Sequence, residues 1–413
     1  MDFPIDQVRA QFPALTAGAG RIYFDAPGGT QICQRAIDRM VAHLKSGTAN
    51  SGGAFVTSRE TDALSEDAHR AMADLLGADP GEIAFGPNMT SLTLALSRAV
   101  SRTWDEGGEL VLTHLDHDAN VSPWLLVARD KGMTVRWIDF DPAMGMLDLD
   151  ALPGLLSDRT RLVAVGGASN ALGTLNDIKL ISSIVKAHSR ALFFVDAVQS
   201  VPHVPTDVRD LGCDFLACSP YKFFGPHQGV LWGKAELLAG IEAYKVRPAD
   251  ANPPGHRFET GTPSFEAQGG VLGTIDYLDW LGGHFSDANS RPERLRAAMA
   301  ACIAYERDLG ERLLAGLAAI PGVKLWGRPT MEGRVPTFAI TIDGHHPDAV
   351  AEALADQEIF VWSGHFYAVE VIKRLDLEDA GGLIRIGLCH YSTIGEVDRL
   401  LVALRAVVGR DGE

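Results

Sequence analysis

The chain has 413 residues, 46% hydrophobic and 22% charged, which is too long for one small core and ordinary for a soluble globular protein of two domains. Its 53 acidic residues outnumber 37 lysines and arginines, for a net charge of −16. That argues against nucleic acid and anionic membrane as partners, because no basic patch remains to release counterions. No apolar run reaches membrane-spanning length, and Met1-Asp2-Phe3-Pro4 carries no signal pattern, so the expected location is cytoplasmic.

The first dozen or so residues read as a helix. Seven short apolar runs follow: Glu82–Pro87, Glu109–Thr113, Thr134–Asp139, Arg161–Gly166, Ala191–Asp196, Asp214–Ser219 and Gly229–Gly233. Several are apolar throughout, as strands buried on both faces are. Helical patterns such as Ser91–Arg102 and Ile178–Ser189 alternate with them, which predicts an α/β fold with a mostly parallel seven-stranded sheet and helices on both faces. Around Ala249–Gly261 the chain turns to Pro, Gly and Asn, a loop. A long helical pattern, Arg291–Ala319, then leads to a half-exposed strand at Val335–Ile342, a helix at Pro347–Gln357, a strand at Leu383–Leu388 and a helix at Gly395–Val408. The expected division is a large domain over 17–280 and a smaller α+β domain from 1–16 and 281–413. Cysteines 33, 213, 218, 302 and 389 lack metal-ligand spacing, so no metal is expected and they read as small buried residues in a reducing compartment.

Lys222 stands in Ser219-Pro220-Tyr221-Lys222-Phe223-Phe224-Gly225-Pro226, directly after the apolar run Phe215-Leu216-Ala217-Cys218. Desolvating an ammonium is costly, so a lysine at the mouth of a buried sheet needs a reason. A partly buried amine with a lowered pKa forms a Schiff base with an aldehyde, and Asp196 at the end of another strand suits the pyridinium nitrogen of pyridoxal 5'-phosphate (PLP). Equally, Lys222 can snorkel to water while Asp196 caps a turn.

Other strand ends carry similar ambiguity. Gly86-Pro87-Asn88-Met89-Thr90-Ser91 opens a helix whose first N–H groups suit an anion, or Asn88 or Thr90 simply caps it. His117, in Leu115-Asp116-His117-Asp118-Ala119-Asn120, suits stacking on a flat ring or moving a proton, or it is a loop histidine. Asn170, in Ser169-Asn170-Ala171-Leu172-Gly173-Thr174, either bonds a ring hydroxyl or makes a turn. Taken together, an anion site, a histidine, an asparagine, an acid with Gln199, and a lysine follow consecutive strand ends in chain order. They converge on one edge of one sheet.

That order of motifs resembles the class V aminotransferase group of PLP-dependent enzymes, and more closely the cysteine desulfurases of the SufS type. The likeness runs from Tyr23-Phe24-Asp25 to Arg385. It implies the PLP-dependent transferase fold type I and a Schiff base between Lys222 and PLP. It further implies Asp196 at the pyridine nitrogen, Gln199 at the phenolate oxygen with Asn170 near that edge, and His117 on the ring face. Thr90, the Met89 backbone and Ser219 are implied to hold the phosphate, with Tyr221 standing where the desulfurases have a histidine that also touches it. Thr262, in Glu259-Thr260-Gly261-Thr262-Pro263, matches a residue that reaches the partner subunit's phosphate, which implies a homodimer. Arg385 matches the arginine that clamps the α-carboxylate of an amino-acid substrate.

The pattern breaks at one loop. Where the desulfurases read Arg-x-Gly-His-His-Cys-Ala, this chain has Trp362-Ser363-Gly364-His365-Phe366-Tyr367-Ala368. A phenol cannot form a persulfide, because that step needs a thiolate. The expected activity is therefore a C–S lyase acting by β-elimination. Transamination and epimerisation are the alternatives, with Tyr367 or His365 as acid in the latter, both facing the substrate. A PLP-binding regulatory protein without turnover is the non-enzyme reading. Trp362 and Tyr367 either make the pocket aromatic or pack the loop against the domain interface.

Overall fold

The computed structural model describes residues 2–18 and 20–409. Its large sheet has seven strands: β1 (Ile83–Gly86), β2 (Glu109–Thr113), β3 (Thr134–Ile138), β4 (Thr160–Gly166), β5 (Leu192–Asp196), β6 (Phe215–Cys218) and β7 (Gly229–Gly233). They lie in the order β1-β7-β6-β5-β4-β2-β3, and only β7 runs against its neighbours. Successive side chains on a strand point to opposite faces, and here both faces are apolar. Val163, Val165, Phe193, Val195, Leu216 and Cys218 enter one core. Leu162, Ala164, Phe194, Phe215 and Ala217 enter the other. Each fully buried Val, Leu or Phe among them contributes about 1.5–3 kcal/mol. The first core is covered by helices that include Phe265–Gly282, and the second by Met89–Val100 and Ser122–Lys131.

A second sheet has four antiparallel strands, β8 (Val323–Trp326), β9 (Thr337–Ile342), β10 (Trp362–Gly364) and β11 (Leu383–Gly387), ordered β8-β9-β11-β10. Helices Arg291–Ala318 and Ile394–Gly409 supply Leu309, Leu313, Val397 and Leu400 to its core, beside Phe338, Ile340, Ile384 and Ile386.

Two sequence expectations change. β9 is not half-exposed, since all its residues but Thr341 are buried. Its second face meets the large sheet's loops, where Ala339 packs in a cluster with Leu115, Ala171 and Leu172. The first residues form two short helices, Ile5–Arg9 and Pro13–Ala17, rather than one. Val8 and Phe12 enter the core beside the large sheet, while Arg9 pairs with Glu396 at 2.9 Å, so this segment fastens both parts of the molecule together. Beyond it, Ile22–Tyr23 pairs with Ile359–Phe360, and Asp25 bridges to Gly387. Among the described residues no helix is long and apolar enough to cross a membrane.

Candidate active site

Six strands of the large sheet turn their carboxyl ends to one edge, where β7 brings its amino end instead. A cleft lies there, lined from the loops after β1, β2, β4, β5 and β6. Its wall includes Met89, Thr90, His117, Asn170, Asp196, Gln199, Ser219, Tyr221 and Lys222. The convergence expected from chain order is thus a geometric fact, and it follows from the parallel alignment of these strands, which brings their carboxyl ends to one edge.

Lys222 ends a single turn of 3₁₀ helix, Pro220–Lys222. Its Nζ donates to the Pro27 carbonyl and lies 4.9 Å from the centre of the Tyr221 ring. Burial pushes its pKa down to about 7, assisted by the Arg385 charge and opposed by Asp196 and Asp25. Asp196 accepts the Val198 N–H at 3.0 Å, and burial raises its carboxyl to about 6. His117 Nδ1 accepts the Ala119 N–H at 3.0 Å. Burial lowers His117 to about 4, with Lys222 and Arg385 adding to the effect. The imidazole is therefore neutral near pH 7 and carries its hydrogen on Nε2.

At the anion end, Asn88 caps the helix Met89–Val100 by accepting the Ser91 N–H at 2.8 Å. The earlier N–H groups of Met89 and Thr90 have no carbonyl one turn back to bond. The start of β7 makes room for this turn. A Cβ on Gly229 would stand 2.3 Å from the Asn88 carbonyl carbon, so only glycine allows the approach. Ser219 is buried beside it, and Tyr221 stacks on His227 with centroids 4.9 Å apart. Burial raises the Tyr221 phenol above its ordinary range.

Arg385, on β11, is buried. It donates from Nη1 to the Asn170 carbonyl at 2.9 Å, and its guanidinium carbon lies 4.3 Å from the centre of the Phe366 ring. Burial lowers its pKa to about 9, which leaves it charged at neutral pH. Asn170 donates from Nδ2 to the Phe366 carbonyl at 2.8 Å, while its buried Oδ1 has no hydrogen-bond partner. Gln199 turns its amide nitrogen to Thr337 Oγ1 at 3.1 Å rather than solely into the cleft.

The loop that departs from the family pattern is folded onto this site. The Tyr367 ring stacks on His117 with centroids 5.5 Å apart, and its carbonyl accepts the Asp118 N–H at 2.7 Å. His365 does not enter the cleft. Its Nδ1 accepts the Tyr367 N–H at 3.0 Å, and its ring faces a shallow groove with Ile372 and Glu378. Trp362 lays its indole on Gly28, next to the carbonyl that holds Lys222. Thr262 lies outside the cleft of its own chain, in a separate opening with His69 and Glu259.

Sequence reasoning passed over Asp25 and Asp116. The Asp25 Oδ1 is buried without a partner, and burial raises this carboxyl to about 6 against the pull of Arg385 and Lys222. Asp116 accepts the Gly166 N–H at 2.9 Å and the Asn120 amide at 2.7 Å, which fixes the loop that carries His117. Burial pushes Asp116 up to about 7. Both stand inside the quoted motifs, Tyr23-Phe24-Asp25 and Leu115-Asp116-His117, and that adjacency was the available signal.

These groups fit PLP. The cleft offers open N–H groups at a helix start, a neutral imidazole face, a buried acid lacking a cationic partner, and an amine close to neutral. The orphaned Asn170 Oδ1 calls for a ligand with a donor. All five cysteines are buried and none lines the cleft. Burial pushes Cys33 to about 11 and Cys213 to about 12, and raises Cys218 as well.

Residues 22–400 match the model of the aminotransferase class-V family. Over 98% of its length the chain is 32% identical to the aminotransferase-like protein FGM3 of Gibberella zeae, covering 99% of that protein. It is 31% identical, again over 98% of its length, to a cysteine desulfurase of Pectobacterium carotovorum, covering 98% of it. Among solved structures, a cysteine desulfurase from Thermococcus onnurineus NA1 superposes with a TM-score of 0.88 at 26% identity, over 99% of this chain and 98% of that one. The cysteine desulfurase CsdA from Escherichia coli gives 0.84 at 25%, over 99% of each chain.

Proposed function

This chain belongs to the class-V aminotransferase family and is a cysteine desulfurase-like, PLP-dependent enzyme, and we propose that it acts on an amino acid by β-elimination, as a C–S lyase, without passing a persulfide. The observation that carries this reading is the loop at 362–368. Tyr367 stands where a thiol would have to be, and every cysteine of the chain is buried elsewhere. Buried thiols with raised pKa values hold no thiolate for sulfur transfer.

Bound in the cleft, PLP supplies the electron sink for the charge left at Cα when the α-proton departs. Lys222 takes that proton. With a pKa near 7 its amine is substantially unprotonated at neutral pH, which suits a general base. Arg385 holds the substrate carboxylate with the guanidinium nitrogens it does not spend on Asn170. When PLP is bound, Asp196 would pair with its ring nitrogen, and His117, being neutral, would cover the ring without repelling a cation there. The Met89 and Thr90 N–H groups, with Ser219 and the Tyr221 hydroxyl, would hold its phosphate, and Asn170 and Gln199 its phenolate oxygen. The Cβ–S bond then breaks and sulfur leaves with the electron pair, a step that asks nothing of a thiol at position 367.

The displacement of Thr262 from its own cleft supports the reading that it serves a second copy's cleft in a homodimer. A panel of amino acids and cysteine conjugates in heavy water, with and without a 2-oxo acid, tests the proposal. Sulfide or thiol released together with pyruvate is the expected result. A new amino acid formed from the 2-oxo acid would establish transamination instead, and α-deuteration with inversion would establish epimerisation. Bound PLP with no turnover of any member would favour a binding protein.

A further inference from the structure

Away from the cleft, helix Val56–Leu76 brings His69 against His256 and Glu259, which lie within the loop at 249–261. Each of these three side chains offers one nitrogen or oxygen atom that lies within 4.8 Å of the other two. His69 Nε2 is 2.8 Å from Glu259 Oε1, and His69 Nδ1 is 2.7 Å from the Ser65 carbonyl. A carbonyl oxygen only accepts, so Nδ1 carries a hydrogen. A neutral His69 would then aim the lone pair of Nε2 at a carboxylate oxygen, and the pair is repulsive unless positive charge sits between them. A proton on Nε2 meets that need for two of the residues. It leaves out His256, whose ring lies 4.5 Å from the His69 ring and makes no hydrogen bond among the described residues.

We propose that His69, His256 and Glu259 bind one divalent transition-metal cation of the zinc class. Two imidazoles and one carboxylate are a recognised zinc donor set, and ligands on a tetrahedral ion sit about 3.4 Å apart, between the shortest and the longest separations found here. Small side-chain rotations close the site. The Ser65 carbonyl supplies the partner that a metal-bound histidine ordinarily has on its other nitrogen. The Phe85 N–H, 2.8 Å from Glu259 Oε1, orients the carboxylate in the same way. His69 is buried while His256 and Glu259 are only partly so, and all three border one opening, so the ion has an entry path and its fourth position faces that opening. The same opening carries Thr262. The cation therefore ties the helix of His69 to the segment that ends in Thr262. The proposal does not rest on the reaction assigned to the other cleft.

The test uses the PLP-bound enzyme, stripped with EDTA and titrated with Zn²⁺ or Co²⁺. One equivalent per chain is expected, with visible Co²⁺ bands of tetrahedral type and a higher melting temperature. His256→Ala should weaken Zn²⁺ by more than the roughly 10- to 100-fold that loss of an outer-shell partner costs, while leaving the cofactor spectrum intact. Equal Zn²⁺ and Co²⁺ uptake by wild type and variant would overturn the site, as would no uptake by either. Should the variant fail to fold, histidine NMR of the wild type decides. Added Zn²⁺ should shift the His69 and His256 ring signals together, and unmoved signals would refute the proposal.

Discussion

The strand-end cleft and the loop at 362–368 meet at His117, yet they are built in opposite ways. Each group of the cleft stands at the end of a strand whose neighbours fix it, so Lys222, Asp196 and His117 owe their positions to burial of the sheet. Beyond β10, residues 365–368 of the loop have no such frame. Phe366 and Tyr367 both adopt left-handed backbone, with φ of 53° and 59°, next to Gly364 at 103°. For residues with a Cβ that conformation costs roughly 1–2 kcal/mol each. Cross-bonds from the loops of the large sheet hold it there, the Asn170 amide to the Phe366 carbonyl and the Asp118 N–H to the Tyr367 carbonyl. The cleft is held by its core and the loop by its straps. In the proposed reaction the first supplies the cofactor chemistry and the second the choice of product.

Substitutions break the comparison at different depths. Lys222→Ala removes the amine around which the cleft is organised. It should lower kcat by at least about 10²–10⁴ and abolish the visible Schiff-base band in the absorption spectrum. The same amine sets a pH dependence. Because only the unprotonated amine attacks an aldehyde, loading of the PLP-free protein should quicken as pH rises through about 7, far below the ordinary lysine range. A stopped-flow pH profile with its midpoint near 10 would show that burial does not tune this group.

Arg385→Ala should raise KM for amino acids by roughly 10- to 100-fold, the worth of a charge-assisted pair of hydrogen bonds, with much less change in PLP affinity. Steady-state kinetics alongside cofactor titration separate the two. Tyr367→Cys is the mildest change and the sharpest test of the loop. The side chain is 66% exposed, so stability should move by no more than about 0.5 kcal/mol. With cysteine as substrate the variant should acquire one sulfur atom at position 367, read by mass spectrometry. An unmodified thiol would mean that the straps hold this position away from the departing sulfur.

Much of the cleft was legible because its residues are local to strands. Asp196 and Lys222 end or follow runs such as Leu192-Phe193-Phe194-Val195 that cannot be placed outside a sheet. Residues that come from far along the chain were not legible. Pro27 reaches Lys222 across 195 positions, and Phe366 reaches Asn170 across 196, with no local pattern to announce either contact. Gln199 shows a third case: its place was legible, but its bond to Thr337 depends on how β9 docks against the large sheet. The burial of β9 itself escaped for that same reason, since a strand's second face is read only from what lies against it.

Gly229 gives the cleft its shape without offering it any chemistry. It stands where the one reversed strand begins, and the Asn88 turn rests in the space its missing side chain leaves. The phosphate end of the site is thus a mould whose wall is a vacancy. A larger residue there would shift the turn bearing Met89 and Thr90 while every reactive group remained in the sequence, a loss of function that no inventory of catalytic residues would detect.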